Sequence, residues 1–178
     1  MWSKKIEYEE YKDFLNNNHI QGYCKAKIKL GLFYNNELVS CIGIGNLRYQ
    51  KQSENVENQM EVIRFCNKLN TKVIGALSKL IKHSGIKNLI SYVDLSYFDG
   101  SGYEKVGFKL LGRTEPGYFY VKNNVLEVLS REKCQKHKLH KLLGDKFNSN
   151  LSETENMLNN GYLKIYGCGN LKYKLEIL

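Results

Sequence analysis

The sequence has little proline and no long apolar run. A single proline, Pro116, occurs in 178 residues, and no stretch rich in serine, glycine or proline marks a flexible linker. No run of 18 or more apolar residues is present, and residues 1–15 are charged throughout, so we expect neither a membrane span nor a signal peptide. The chain is long enough for one real core. We therefore expect a soluble, cytoplasmic domain with an extension.

Paired cysteines are also missing. The five cysteines form an odd set without any CxxC motif, which favours reduced thiols. Cys134, His137 and His140 lie at i, i+3 and i+6, and Cys168 was considered as a fourth zinc ligand. Position i+6 rotates away from i on a helix, so we expect no metal site.

Acidic residues are outnumbered, which leaves a formal charge of +9. A basic surface attracts nucleic acid, acidic membranes or phosphorylated ligands without distinguishing them. Residues 131–143 are predicted to form one basic helix, which is either simply solvated or contacts phosphates. The candidate nucleic-acid-binding residues on it are Arg131, Lys133, Lys136, Lys138 and Lys141.

Residues 60–108 organise the chain. The pattern predicts a buried strand over 60–66, a loop over 67–72, an amphipathic helix from Val73 that Gly85 ends, a strand over 86–93 and a short helix before Gly107-Phe108. A loop that leads into a helix start offers backbone N–H groups and a positive dipole to an anion such as pyrophosphate. An ordinary strand-to-helix connection is the alternative.

The remaining segments complete a mixed α/β sheet with helices on both faces. The predicted elements are a helix over 7–17, antiparallel strands over 29–34 and 38–45, a loop over 48–59, strands over 109–111 and 118–121, a helix from Ser152 to Asn159, and two strands, 162–166 and 171–177, joined across residues 167–170. Residues 1–121 are expected to form the main domain. Residues 122–178 are expected to form a small basic α/β C-terminal extension packed on it.

The segment Tyr103-Glu104-Lys105-Val106-Gly107-Phe108 resembles a signature of the GNAT superfamily of acyl-CoA-dependent N-acyltransferases. The resemblance implies a GNAT-like sheet, acetyl-CoA or another acyl-CoA as cofactor, and Tyr103 as the acid that protonates the leaving thiolate. A Tyr that packs on the sheet is the alternative. The implied cofactor-binding residues are Phe65, Cys66, Asn70, Thr71, Lys72, Val73, Ile74, Gly75 and Ala76.

The loop in this set departs from the superfamily pattern Arg/Gln-x-x-Gly-x-Gly/Ala. Its leading basic residue and first glycine are missing, and Lys72 is the residue that could supply the charge.

Several short matches over about residues 14–121 are similar to the phage Mom-like branch of GNAT-fold proteins, which modify adenine in DNA. The matching segments are 18–22, 31–34, 37–39, 63–66, 91–94 and 102–103. The resemblance implies that His19, Arg64, Asp94 and Tyr103 belong to the active site. It also implies a carbamoylmethyl group, so plain acetyl transfer is not assumed.

Two of these residues also stand out physically. Arg64 lies inside an apolar run and Asp94 ends another, and charges there are costly unless they are paired or face a cleft. They are expected either to form a structural salt bridge or to act on substrate, with Asp94 accepting an amine proton and Arg64 contacting a phosphate. His19 is an active-site residue or an ordinary surface one. Tyr49, Tyr97 and Phe98 are candidates to stack on a flipped base.

The leading interpretation is a transferase that adds an acyl-derived group to a nitrogen, most readily adenine N6 in DNA, with DNA as partner, no membrane and a homodimer as the expected assembly. A catalytically inactive GNAT-fold module that binds DNA or a protein is one alternative. An acetyl-CoA-dependent acetyltransferase of a small amine or a protein is another.

Overall fold

The computed structural model describes residues 1–48, 59–122, 125 and 127–177. Most of the predicted loop 48–59, with Tyr49, lies outside these residues. The strands are β1 Trp2–Lys5, β2 Ile28–Tyr34, β3 Glu37–Gly45, β4 Met60–Asn67, β5 Asn88–Asp94, β6 Lys109–Arg113, β7 Tyr118–Lys122, β8 Val128–Ser130, β9 Tyr162–Tyr166 and β10 Asn170–Glu176. The α-helices are α1 Tyr8–Asn18, α2 Ala76–Ser84, α3 Ser101–Glu104, α4 Leu139–Leu143 and α5 Glu153–Asn159. Within the described ranges, no helix is long and apolar enough to cross a membrane.

The chain divides into two compact units. The first comprises residues 1–93, 100–112 and 172–178, and the second comprises residues 94–99 and 113–171. The expected boundary at residue 121 lies inside the second unit, and residues 172–178, which include most of the last strand, belong to the first unit.

The first unit is built around a seven-stranded sheet with the order β1-β2-β3-β4-β5-β10-β6. The predicted hairpin of β2 and β3 is confirmed: the strands pair antiparallel, and Asn35 and Asn36 adopt positive φ angles of 47° and 63° between them. Two positive-φ residues suit the tight turn that matches strand twist.

Helices cover both faces of this sheet, as predicted. Ser3 of β1 lies opposite Leu32 of β2, so both point to one face, where Ser3 Oγ lies 2.7 Å from His83 Nδ1 of α2. The opposite face carries Cys41, which packs with Tyr11, Phe14 and Leu15 of α1 in one buried cluster.

The second unit holds a three-stranded antiparallel sheet with the order β8-β7-β9. One buried cluster contains Tyr120, Leu129, Cys134, Leu139, Met157 and Tyr162. The predicted capping box of α5 is confirmed, because Ser152 Oγ accepts the Glu155 N–H at 3.2 Å and Glu155 accepts the Ser152 N–H at 2.7 Å.

The predicted pairing of the two C-terminal strands is wrong. β9 pairs with β7, whereas β10 enters the large sheet between β5 and β6. The short connection over residues 167–170 suggested a hairpin. The burial of Tyr173 and Leu175 in β10 shows why the strand goes elsewhere, since these side chains belong to the core. Strands β1 and β8 were not predicted at all.

The single basic helix predicted over residues 131–143 is also wrong. Residues 131–134 form turns, a 3-10 helix covers Lys136–Lys138, and only Leu139–Leu143 is α-helical. Cys134 and Leu139 are both fully buried. Residues five apart point about 140° away from each other on a helix, so one continuous helix would bury only one of them. The extended backbone of Gln135, with ψ 136°, solves this problem.

Helix α2 begins at Ala76 rather than at the predicted Val73. Asn70 and Gly75 adopt left-handed conformations, with φ angles of 59° and 74°. The left-handed residue before Ala76 interrupts the helical backbone, although the apolar spacing runs on through it.

Gly43 provides space that α1 requires. A Cβ atom at Gly43 would lie 1.8 Å from Tyr11 Oη and 2.7 Å from Tyr11 Cζ. Gly43→Ala should lower the free energy of unfolding by about 2 kcal/mol or more, because Tyr11 is fully buried and cannot yield freely. Denaturant unfolding measures the loss.

The control is Gly102→Ala, where a Cβ meets nothing within 4 Å and which should change stability by no more than about 1 kcal/mol. Tyr11→Phe removes Oη, the nearest of the clashing atoms, so the double variant should recover part of the loss. Strictly additive losses in the double variant would contradict this explanation.

Candidate functional site

A β-bulge in β4 sets the directions of its polar side chains. Gly43 of β3 lies opposite Arg64 and Ile44 lies opposite Val62, so Ile63 is an extra residue. Gly45 in turn lies opposite Glu61. Because Gly43 and Gly45 share a face of β3, Arg64 and Glu61 also share a face, although an uninterrupted strand would place them on opposite ones.

The two parallel strands β4 and β5 separate directly before this bulge. They pair only at Met60/Leu89, Glu61/Ile90 and Val62/Ser91. β4 continues to Asn67, paired with β3 alone. Ile63 to Asn67 therefore turn one backbone edge toward a gap between neighbouring strands.

Two buried polar atoms lie on the strands that border this gap. Asn67 Oδ1 makes no hydrogen bond to another described residue, whereas Ser91 Oγ lacks a bond of ordinary geometry but interacts with the hydroxyl of Tyr103. Ser91 is 1% exposed. Buried polar groups without partners are rare in folded proteins, and they are often the atoms that contact a ligand or water.

Arg64 projects from β4 toward the turn that follows α1. Its Nε donates to the Gly22 carbonyl oxygen at 3.3 Å, and Nη1 donates to the carbonyl oxygen of Ile63, the bulge residue, at 2.9 Å. Burial lowers the pKa of the half-buried guanidinium, and the nearby positive charge of Arg48 adds to the shift.

His19 caps α1 and lies in the same turn as Gly22. The Gln21 N–H donates to His19 Nδ1 at 3.0 Å, so a neutral imidazole carries its proton on Nε2. Burial lowers the pKa of His19 to about 4, and the positive charge of Arg64 contributes. The structure thus brings His19 and Arg64 into one electrostatic neighbourhood, with His19 neutral at pH 7 and a donor at Nε2.

Glu61 belongs to the same face and was not among the predicted site residues. Its side chain is 0% exposed. Glu61 Oε1 accepts Arg48 Nε at 2.8 Å and Nη2 at 2.5 Å, while Oε2 accepts the Arg48 N–H at 2.9 Å. The signal was present in the sequence, because Glu61, like Arg64, is a charge inside an apolar run.

Tyr103 lies in α3 with its own set of neighbours. Its ring stacks on Tyr173 at 5.8 Å and meets Phe108 edge-to-face at 5.1 Å. Burial raises the pKa of Tyr103, and an interaction with the Ser91 hydroxyl lowers it in part. Tyr103 therefore stays protonated at neutral pH beside the residue at which β4 and β5 separate.

Asp94, the candidate stacking residues Tyr97 and Phe98, and the predicted nucleic-acid-binding residues lie in the second unit. Asp94 ends β5, where its Oδ1 accepts the Ser96 N–H at 2.9 Å and its carbonyl oxygen accepts the N–H groups of Tyr97 and Phe98. The rings of Tyr97 and Phe98 are exposed. The basic residues Arg131, Lys133, Lys136 and Lys141 are exposed, and Lys138 donates to the Glu132 carbonyl oxygen at 2.9 Å.

The predicted cofactor-binding loop leads from β4 into α2. Thr71, Lys72 and Ile74 are exposed, and Ile74 is 82% exposed. Gly75 caps α2 without a side-chain hydrogen bond. The first N–H groups of a helix have no acceptor within it, so the N-terminus of α2 presents backbone donors and a positive dipole.

Solved structures of acetyltransferases resemble the chain over nearly its whole length. An acetyltransferase of Bacillus subtilis in complex with CoA matches with a TM-score of 0.51 and 14% identity over 99% of this chain and 98% of that one. The ribosomal-protein-S18-alanine N-acetyltransferase of Escherichia coli matches with a TM-score of 0.52 and 10% identity over 99% and 93%. No protein-family model and no curated protein sequence matches. At these identities the likeness establishes the fold alone: the chain has the GNAT acyltransferase fold, as predicted.

The lowered pKa of His19 makes the protein less stable in acid. The unfolded state takes up a proton on this ring near pH 6.5, whereas the folded state does so only near pH 4. The contribution of His19 is therefore fully present above pH 6.5 and is lost as the pH falls toward 4, by up to about 3 kcal/mol. The difference in unfolding free energy between the wild type and His19→Gln should narrow over this interval.

NMR titration of the His19 ring measures the pKa directly. A value near 6.5, or parallel stability curves for the wild type and His19→Gln between pH 7 and pH 4, would show that burial does not act on this ring as described.

Proposed function

We propose that this chain is an acyltransferase that moves an acyl group from acetyl-CoA or another acyl-CoA to a nitrogen atom. The observation that carries the proposal is the separation of β4 and β5 after Val62 and Ser91. It creates an open backbone edge in the middle of a sheet on a GNAT fold. A related fold holds CoA in the Bacillus subtilis acetyltransferase.

The gap suits the extended arm of an acyl-CoA. That arm contains amide groups, and a strand edge binds extended amides through backbone hydrogen bonds. Asn67 Oδ1, which lacks a hydrogen-bond partner among the described residues, supplies a further polar atom along the gap. Both observations support a ligand in this position, because the same groups would otherwise remain unsatisfied.

The N-terminus of α2 suits the phosphates of the cofactor. It follows β4 directly, it has no side-chain cap, and Lys72 is exposed in the loop before it. Backbone N–H groups and the helix dipole bind phosphate without a specific side chain. The departure of this loop from the superfamily pattern is therefore compatible with binding, since Gly75 retains the left-handed position at the helix start.

In the proposed reaction the acceptor nitrogen attacks the thioester carbonyl carbon and the carbon–sulfur bond breaks. The CoA sulfur leaves as a thiolate that needs a proton, and the acceptor nitrogen releases a proton to water as the new carbon–nitrogen bond forms. Tyr103 is the proposed donor, because burial keeps its hydroxyl protonated and Ser91 connects it to the gap. The interaction with Ser91 counteracts part of the rise in the pKa of Tyr103 and so makes the hydroxyl a better acid.

As the acceptor we propose adenine N6 in DNA, as the resemblance to Mom-like proteins implies. The formal charge of +9 and the exposed residues Arg131, Lys133, Lys136 and Lys141 support a polyanionic substrate. These residues lie in turns and short helical pieces rather than on one helix, so a DNA contact would use separate lysines and not a continuous helical face.

A negative charge in front of α2 tests the cofactor site. Ile74→Glu places a carboxylate beside the proposed phosphate position, so acetyl-CoA should bind at least about tenfold more weakly. Ile74→Gln has the same shape without the charge, and its affinity should remain near that of the wild type. Isothermal titration calorimetry with acetyl-CoA measures both.

Because Ile74 is exposed, its substitution by Glu should change the affinity for acetyl-CoA without impairing folding. Ile74→Glu should keep or slightly raise the unfolding free energy, by about 0.3–1 kcal/mol, because a carboxylate near a helix N-terminus is favourable. Equal affinities of the Glu and Gln variants would refute the phosphate position. Absence of any acetyl-CoA binding by the wild type would instead favour a binding module without catalysis.

Analysis of nucleosides tests the acceptor. Mass spectrometry of DNA from cells that express the wild-type protein should detect a modified deoxyadenosine, and the adduct should be strongly reduced with Tyr103→Phe. This variant keeps the ring contacts with Phe108 and Tyr173 and removes only the hydroxyl. If the purified protein instead acetylates small amines or proteins and the DNA remains unmodified, the acceptor is such an amine or protein and not adenine.

A further inference from the structure

Arg64 is a half-buried cation without an acidic partner in the described part of the chain. Its two hydrogen bonds go to neutral backbone carbonyl groups, those of Gly22 and Ile63. None of the ion pairs between described residues includes it, whereas Arg48 on the same side is paired with Glu61. A guanidinium taken out of water in this way loses hydration that neutral carbonyls replace only in part.

The groups around Arg64 leave its charge uncompensated. The titratable side chains that act on it are those of Cys24, Arg48, Tyr11 and Glu61. Burial raises the pKa of the Tyr11 phenol, which is therefore neutral at pH 7, and Glu61 already accepts three hydrogen bonds from Arg48. The guanidinium groups of Arg48 and Arg64 thus lie near a single carboxylate, that of Glu61, and the neighbourhood has a net positive charge.

His19 adds a neutral donor to the same neighbourhood. Its Nδ1 is occupied by the Gln21 N–H, so Nε2 carries the hydrogen that remains for a ligand. The imidazole is partly exposed, and so is Arg64. A charged fork and a neutral N–H near each other form a donor set for an oxyanion, because carboxylate and phosphate oxygens accept several such bonds at once.

Contacts from three parts of the fold hold the Arg64 side chain and the turn that contains His19 in place. The bulge at Ile63 directs Arg64 toward the face of α1, and its carbonyl oxygen holds Nη1. The turn after α1 holds Nε through Gly22. Asn16 Oδ1 accepts the Tyr23 N–H at 3.0 Å, and Asn18 Oδ1 accepts the Leu69 N–H at 2.8 Å, which ties the turn to its surroundings. Such preorganisation lowers the entropic cost of binding.

We propose that Arg64 and His19 form a subsite for an anionic group, a carboxylate or a phosphate, on the molecule that accepts the acyl group. The assignment of this group to the acceptor rests on the proposed function. The cofactor phosphates have a separate place at the N-terminus of α2. The subsite narrows the acceptors to nitrogen compounds that carry an oxyanion, which include amino acids and nucleotides.

An anion titration tests the subsite without any catalytic step. In protein with 15N-labelled histidine, inorganic phosphate and, separately, acetate are added at pH 7 and constant ionic strength, and the Nε2 resonance of His19 is followed. We expect a saturable shift. The tighter of the two anions identifies the phosphate or the carboxylate class.

Variants of Arg64 distinguish a role in anion binding from a role in stabilising the fold alone. Arg64→Gln should weaken anion binding at least about tenfold, and Arg64→Lys should weaken it less, since Lys keeps the charge and loses the fork. Both variants can donate to the Gly22 carbonyl, and a dispersed NMR spectrum verifies their folding. A wild-type shift that does not saturate, or equal affinities in the wild type and Arg64→Gln, overturns the proposal.

Ile74→Glu separates this result from the proposed function. The variant is expected to lose acetyl-CoA affinity and to keep the response of His19 to phosphate and acetate. Binding of the anions at His19 without any binding of acetyl-CoA would support the subsite and refute the proposed acyltransferase function. Binding of acetyl-CoA without any binding of the anions would support the acyltransferase function and refute the subsite.

Discussion

The extra residue in β4 is the constraint on which the rest of the site depends. A bulge bends a strand and increases its twist, and β4 parts from β5 at Val62, the residue before the bulge. The same insertion changes which face each later side chain occupies. One local irregularity thus opens the sheet and brings Arg64 to the face that already holds Glu61.

Packing against two glycines of β3 makes this irregularity tolerable. Gly43, opposite Arg64, leaves the volume that Tyr11 Oη occupies, and Gly45, opposite Glu61, leaves room for Ile63, whose Cγ1 would lie 3.2 Å from an added Cβ. Two glycines in a central strand cost backbone entropy. They are explained by the bulky groups that face them, a buried tyrosine ring and the bulge residue itself. The hydroxyl of Tyr11 lacks a hydrogen-bond partner among the described residues, so this contact is one of packing and not of hydrogen bonding.

The sequence predicted those elements whose side chains repeat with one clear period. The hairpin of β2 and β3, the capping box of α5 and the apolar strands β4 and β5 all follow from local pattern and are all present. The predictions failed where a distant contact decides. Residues 131–143 have a helical composition, yet Cys134 and Leu139 must both be buried, and β10 leaves its sequence neighbour β9 because the large sheet needs its apolar residues.

The site shows the same division between local and distant information. Arg64 was identified because a charge inside an apolar run is informative by itself. The proximity of Arg64 to His19 depends on the turn at Gly22. Its shared face with Glu61 depends on the bulge. No periodic pattern in the sequence encodes either feature. The start of α2 was misplaced for a related reason. Apolar spacing continues through residues 73–77, whereas the left-handed Gly75 interrupts the helix, and spacing does not report backbone handedness.

The positive charge of the chain can now be interpreted in terms of positions. A net charge of +9 was compatible with any polyanion. The structure offers two positive places along one strand and its continuation: the guanidinium of Arg64 just after the bulge, and the N-terminus of α2 beyond Asn67. An acyl-CoA carries several phosphates at one end, and an anionic acceptor would carry its own charge to the other place. Two anionic ligands that meet in one site repel each other unless the protein supplies a compensating charge for each. A basic chain with two separated positive places meets this requirement, so its charge can serve a small anionic acceptor as readily as DNA.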